Sequence, residues 1–244
     1  MIVGKKPTLL IPKQHGAWAM LGIPFGLGAY AGGFSWFHLP LFLGWLCLHL
    51  ATYPFLMTVK TKRKNEYMPW FYCYFSFAVM MFLIPLLYHP MLINFGIAMV
   101  PFFLMNLYYA KKKNERAFFN DVAAIAAFCI GGLASFYVGR GALTIQAFEL
   151  SLFSFLFFIG STFYVKTMIR EKKNSIYKWG SWIYHFLLIV VLVMIGYPLF
   201  ALAYVPSVIR AISLYGKSLS VTKVGILEIA NSAYFLLVML IFLS

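Results

Sequence analysis

The chain has 244 residues, 63% of them apolar and only 11% charged, with a mean hydropathy of +0.84. Soluble domains carry about 25% charged residues, so the composition excludes a water-soluble globular protein and leaves a chain that lives in a bilayer. The net charge of +14 does not point to nucleic acid. The cations are dispersed among short gaps between apolar runs, a distribution that orients membrane proteins and draws them to anionic membrane lipid.

A bilayer span needs roughly 20 apolar residues. Nine runs meet or approach that length, at residues 16–34, 37–58, 69–87, 91–110, 118–138, 145–165, 179–196, 198–214 and 224–243. Lipid offers no partner to open backbone groups, so the spans must be helices. A barrel would need alternating segments of about ten residues, not continuous runs. The predicted fold class is an all-α, polytopic membrane protein of nine transmembrane helices in one domain, residues 1–244. The first full apolar run shows no cleavage site, so a retained span is expected. Its glycines Gly22, Gly26, Gly28, Gly32 and Gly33 predict close helix contact. Trp18, Trp36, Trp70, Tyr108, Tyr109, Trp179 and Trp182 lie near span ends, as an interfacial belt would. Cys47, Cys73 and Cys129 lie inside apolar runs without metal spacing and are expected to be buried thiols. Only Gly196-Tyr197-Pro198 separates the seventh and eighth runs. Fusing them into one span would put Arg210 on the wrong side, so two helices are predicted.

Of the 20 Lys and Arg residues, all but Arg140 fall in alternate gaps. Cytoplasmic loops retain such residues, which predicts an inside N-terminus and an outside C-terminus. An internal echo fits this orientation. The second helix ends Val59-Lys60-Thr61, with Arg63 and Glu66 following; the sixth ends Val165-Lys166-Thr167, with Arg170 and Glu171 following. Four helices separate them, an even number, so both leave on the cytoplasmic side. A parallel pseudo-repeat of helices 1–4 and 5–8 is expected (half-repeats 13–110 and 114–214, plus a ninth helix, 224–243). Parallel repeats commonly put their site at the interface.

The chain has only six carboxylates: Glu66, Glu115, Asp121, Glu149, Glu171 and Glu228. A charge near mid-bilayer costs about 2.5–3.5 kcal/mol or more, so each intramembrane one should face inward and find a partner. Glu228 lies inside the ninth run with Asn231 and Ser232 on its face. It reads as an acid or cation-pairing group in a cytoplasmic-facing cavity, or as half of a structural ion pair. Asn114, Glu115, Arg116, Asn120 and Asp121 open the fifth helix. Asn114 suits a cap and the acids suit the positive helix terminus, while Arg116 and Asn120 carry a polar stripe inward. Lys13-Gln14-His15-Gly16-Ala17-Trp18 makes a shaped entry to the first helix, where His15 could titrate near neutral pH or donate to an anion. His49 and His185 are expected to be hydrogen-bonded interior residues. His38 and His89 fall in outer loops and carry no signal. No metal site, phosphate loop or hydrolase triad is legible.

The blocks Pro12-Lys13-Gln14-His15-Gly16-Ala17-Trp18, Asn114-Glu115-Arg116 to Asn120-Asp121, and Tyr164-Val165-Lys166 with Arg170-Glu171 resemble the YwiC-like family of bacterial membrane proteins. That resemblance implies a bacterial cytoplasmic (cell) membrane and carries no established activity. The architecture also resembles the UbiA-type prenyltransferases, which have nine helices and two signature loops after the second and sixth. There, Asp-rich motifs hold Mg²⁺ and a prenyl diphosphate. Here the first loop offers only Glu66 and the second only Glu171 as acids. Mg²⁺ wants carboxylate and water oxygens, so a Mg²⁺-bridged diphosphate does not fit these loops, and the sequence names no cofactor.

Three functions follow as alternatives. The first is a UbiA-like membrane enzyme acting on an anionic or lipid-soluble small molecule at the cytoplasmic face. His15, Asp121, Glu171 and Glu228 would be its acid–base or orienting groups. Lys13, Gln14, Trp18, Lys60, Glu115, Arg116, Asn120, Tyr164, Lys166, Arg170 and Asn231 would bind the substrate. The second is a small-anion or metabolite transporter, with Pro24, Pro54, Pro85, Pro101 and Pro206 as helix breaks. The third is a non-catalytic accessory membrane subunit, with a protein partner the sequence does not identify.

Overall fold

The computed structural model describes residues 10–12, 15–61 and 63–243. In chain order the elements are α1 (His15–Gly32), α2 (His38–Thr61), α3 (Lys64–Tyr88), α4 (Leu92–Lys111), α5 (Phe118–Arg140), α6 (Ile145–Ile169), α7 (Ser175–Met194), α8 (Pro198–Ala201), a 3-10 turn (Leu202–Tyr204), α9 (Val205–Ser213) and α10 (Val221–Leu243). No strand occurs among the described residues. Every predicted run holds helix. Helices α2, α3, α6, α7 and α10 run up to about a turn past the apolar stretch at their basic ends. A helix's hydrogen-bond ladder is satisfied internally, so nothing obliges it to stop where its side chains turn polar.

Among the described residues, seven of the nine expected spans form helices long and apolar enough by themselves to cross a membrane, namely α2 to α7 and α10. The first run is an 18-residue helix with glycine at 16, 22, 26, 28 and 32, and those glycines dilute its hydropathy. The eighth is broken into α8, the 3-10 turn and α9. Pro198 and Pro206 start the helical pieces, where a missing N–H costs nothing. Gly196 turns the chain after α7 at φ +93°, a left-handed conformation glycine adopts freely. Helix α7 packs against α8 and α9 alike, so the two runs form a hairpin and not one kinked span.

The first helix is central. It packs along α5 and touches α6 and α10. The crossing with α5 is parallel: Gly28 meets Gly132, and Gly32 meets Phe136 further along. A Cβ on Gly132 would stand 2.7 Å from the Pro24 carbonyl oxygen, and one on Gly32 would stand 2.5 Å from that of Phe136. Close backbone approach of this kind replaces the hydrophobic drive that lipid does not supply. Of the five glycines expected to make such contacts, Gly22 and Gly26 face open space and Gly33 serves a turn at φ +93°.

The crossing is locked by Ser135, whose hydroxyl donates to Phe25 O (2.8 Å) while its carbonyl accepts from His38 Nε2 (2.8 Å). His38 is therefore a buried tie between α2 and α5, not the silent loop residue the sequence suggests. The main core gathers on α1, α5, α6 and α10, with the Phe157 and Phe235 rings stacked at 4.1 Å. Helices α3 and α4 lie at the edge, with most of their apolar surface outward. Lipid is as apolar as those side chains, so a peripheral helix needs only one packing face. Of the three cysteines expected to be buried, Cys129 is; Cys47 is half-buried and Cys73 faces out for the same reason.

Candidate functional site

The two lysines of the internal echo converge on one short segment between α4 and α5. Lys60, in the last turn of α2, pairs with Glu115 at 2.6 Å. Lys166, near the end of α6, pairs with Asp121 at 2.9 Å and donates to the Arg116 carbonyl at 2.6 Å. Thr61 and Thr167, which follow them, each bond back to their own helix, at Met57 O and Tyr164 O. Lys166 is the hub: its side chain is only 8% exposed, against 34% for Lys60.

The local backbone explains the arrangement. Lys113 takes a left-handed turn at φ +54°, and Asn114 N–H bonds to Tyr109 O, closing α4. The predicted Asn114 cap on α5 is thus overturned. Ala117 precedes the helix in extended conformation and provides no side-chain cap, because the loop is spent on finishing α4. Asp121 consequently falls in the first turn of α5, where the helix terminus favours a carboxylate, and not deep in an apolar run. Asn120 donates from Nδ2 to Glu115 O at 2.6 Å, and its buried Oδ1 has no partner among the described residues. Burial pushes the Glu115 carboxyl up, but hydrogen bonding to Lys60, together with the Lys60 and Arg116 charges, holds it below the ordinary glutamate value. Burial and the neighbouring Arg116 guanidinium hold Arg170 below the ordinary arginine value, against the pull of Asp121. Lys60, Glu115, Arg116, Asn120, Asp121, Lys166 and Arg170 therefore form one polar mouth.

Other predicted site residues go elsewhere. Lys13, Gln14 and the side chain of His15 lie outside the described residues. Glu171 accepts from Asn174 Nδ2 at 2.9 Å, while Asn174 Oδ1 caps α7 at Ile176 N. Glu171 thus shapes the α6–α7 turn. Trp18 stands edge-on to His49 at 5.8 Å and lines an apolar groove of about 360 Å³ between α1 and α10. A second groove of about 260 Å³ lies among α4, α5 and α6.

Tyr164, Glu228 and Asn231 belong to a separate buried cluster. Glu228 is ion-paired with Arg210 of α9. Arg210 lies over the Tyr164 ring at 4.3 Å and donates to Ser161 Oγ at 3.2 Å. Asn231 Nδ2 donates to Ser207 Oγ at 3.0 Å. His185 is an interior residue as expected, with Nδ1 against Ser181 O at 2.7 Å. Sequence reasoning counted Arg210 only as a topology marker and passed over Ser161 and Ser207. The available signal was an arginine inside an apolar run, three residues after a serine. Among the described residues no group of His, Cys, Asp or Glu side chains is gathered to hold a metal ion.

Comparison with known proteins agrees across nearly the whole chain. The model of the YwiC-like protein family matches residues 11–136. The uncharacterized protein YwiC of Bacillus subtilis (strain 168) is 48% identical over 236 residues, 96% of this chain and 98% of the relative. An uncharacterized protein of Haemophilus influenzae (strain ATCC 51907 / DSM 11121 / KW20 / Rd) is 40% identical over 233 residues, with the same coverage of both chains. No solved structure matches the chain. With a family model over half its length and relatives this similar from end to end, the chain belongs to the YwiC-like family.

Proposed function

We propose that the protein is a multi-pass enzyme of the bacterial cell membrane that captures the anionic group of a small or lipid-soluble substrate at its cytoplasmic mouth. The supporting observation is the charge arrangement around Lys166. Lys60 and Lys166 are each neutralised by a carboxylate, Glu115 and Asp121. Arg116 and Arg170 are exposed neighbours, and among the described residues neither is ion-paired. Two guanidinium groups held together repel, and an oxyanion between them relieves the repulsion while using their bidentate geometry. Lys166 and Lys60 are then positioning residues, Arg116 and Arg170 the binding pair, and the buried Asn120 Oδ1 an acceptor still to be used.

The predicted topology, nine crossings with an inside N-terminus, puts this mouth in the cytoplasm. The parallel run of α1 and α5, the first helices of the two half-repeats, supports the UbiA-like pseudo-repeat. Native mass spectrometry of gently extracted protein, with Arg116→Gln/Arg170→Gln beside wild type, tests the reading. A co-purifying anionic ligand lost in the double variant is expected. An empty mouth in both proteins refutes it and turns attention to flux and partner-capture measurements, which read the transporter and accessory alternatives. A reporter fused to the C-terminus that is active only outside the membrane is expected from the topology.

A further inference from the structure

On the same helix as Lys166, Tyr164 and Ser161 meet the Arg210–Glu228 pair, in surroundings that a structural ion pair does not require. Both residues are more than nine-tenths buried. Among the described residues the Tyr164 hydroxyl, on a residue with 0% exposure, has no hydrogen-bond partner, and neither has Arg210 Nε. His185 Nδ1 faces the Ser181 carbonyl and so carries the ring proton. That leaves its Nε2 lone pair also unpartnered. Buried donors without acceptors are costly, most of all where lipid excludes water. One such donor, Arg210 Nε–H, belongs to a guanidinium whose other nitrogens hold Glu228 and Ser161, and the other, Tyr164 O–H, is on the ring that guanidinium covers.

We propose that Arg210 is the anchor of a carboxylate-binding site, and that Glu228 is the resident carboxylate that fills it when no ligand is bound. The guanidinium fork matches carboxylate geometry, and Tyr164 O–H and Arg210 Nε–H supply the two further donors an incoming carboxylate needs. Charge decides how exchange occurs. The pair is neutral, and adding an anion alone would leave an uncompensated negative charge in the bundle. The ligand therefore enters as its acid: its proton passes to a Glu228 carboxylate oxygen as Glu228 leaves Arg210, and the resulting carboxylate takes the guanidinium. No other bond is made or broken. Glu228 meets Arg210 of α9, and the titratable groups around that guanidinium are Tyr164 from α6 and His185 from α7. Of the other elements packed against α10, the 3-10 turn carries Tyr204, whose hydroxyl is committed to Phe153 O at 2.9 Å, and α1 carries Tyr30, which is 50% exposed. Glu228 is thus the group placed to hold the proton. The site is distinct from the Arg116–Arg170 mouth and stands independently of the function proposed for it.

Calorimetric titration of the full-length protein in detergent, in two buffers of different ionisation enthalpy at pH 7, tests this with acetate and decanoate as probes. Wild type is expected to take up one proton from solution for each carboxylate bound. Glu228→Gln is expected to bind more tightly with no proton uptake. If its unpaired Arg210 lowers the melting temperature, added acetate is expected to restore it. Tyr164→Phe removes a hydroxyl with no partner among the described residues, so it should melt no lower than wild type yet bind about tenfold more weakly. Equal affinity for the two probes identifies a free carboxylate as the ligand class, and a preference for decanoate identifies an acyl-chain acid; either supports the site. Proton uptake that persists in Glu228→Gln, wild-type affinity in Tyr164→Phe, or no binding of either probe by wild type or Glu228→Gln overturns it.

Discussion

Replacing Lys166 with methionine should be far more damaging than the same change at Lys60, although both lysines end the same Val-Lys-Thr echo and both close one ion pair. The difference follows from burial. Lys60 and Glu115 have side chains 34% and 26% exposed, and a pair in contact with water contributes about 0.2–1 kcal/mol. Lys166 is 8% exposed and holds two acceptors, Asp121 Oδ2 and Arg116 O. Breaking a buried pair from one side costs about 3–5 kcal/mol. Asp121 retains 35% exposure, so part of its hydration survives, which brings the expected loss to about 2–3 kcal/mol. Asp121→Asn in the Lys166→Met background removes the stranded charge and should recover about half of that loss. Thermal unfolding of the detergent-solubilised variants, followed by fluorescence size exclusion, reads the order. Equal losses at Lys60 and Lys166, or no recovery in the double variant, would refute the argument that burial makes Lys166 the hub.

The α1–α5 crossing predicts opposite outcomes for two identical substitutions. Gly132→Ala should cost about 1–3 kcal/mol because its Cβ meets the unyielding Pro24 backbone, whereas Gly26→Ala, facing open space, should be neutral or gain up to about 1 kcal/mol of helix propensity. Comparable melting temperatures for the two variants would contradict the crossing. Glu115 makes stability depend on acid. A carboxyl held low in the folded state contributes fully above its unfolded value and loses that contribution as pH falls through the lowered folded value. The melting-temperature gap between wild type and Glu115→Gln should therefore be present at pH 7 and close as pH drops below the ordinary value of 4.5. Asn174→Ala removes the α7 cap and frees Glu171. A loss of about 1 kcal/mol is expected in thermal unfolding, with retention of any ligand held at the Arg116–Arg170 mouth.

Membrane class, helical composition and the approximate reach of each run were legible in the chain itself. Lipid forbids open backbone groups and requires about 20 apolar residues to cross, and those constraints act through local composition alone. The pairing of Val59-Lys60-Thr61 with Val165-Lys166-Thr167 was visible for a similar reason, since a basic helix end is a local signal. The path of the chain through space was not local. That Lys60 and Lys166 meet the two ends of segment 115–121 depends on how α2 and α6 pack around α5. That His38 is a buried tie depends on Ser135, 97 residues away. That Arg210 finds Glu228 depends on the turn at Gly196, which lays the eighth run back against α7 and leaves its arginine buried. Pairing energies act between residues that only packing brings together. The sequence by itself determined which groups are too polar for lipid, and the tertiary structure decided which of them neutralise one another.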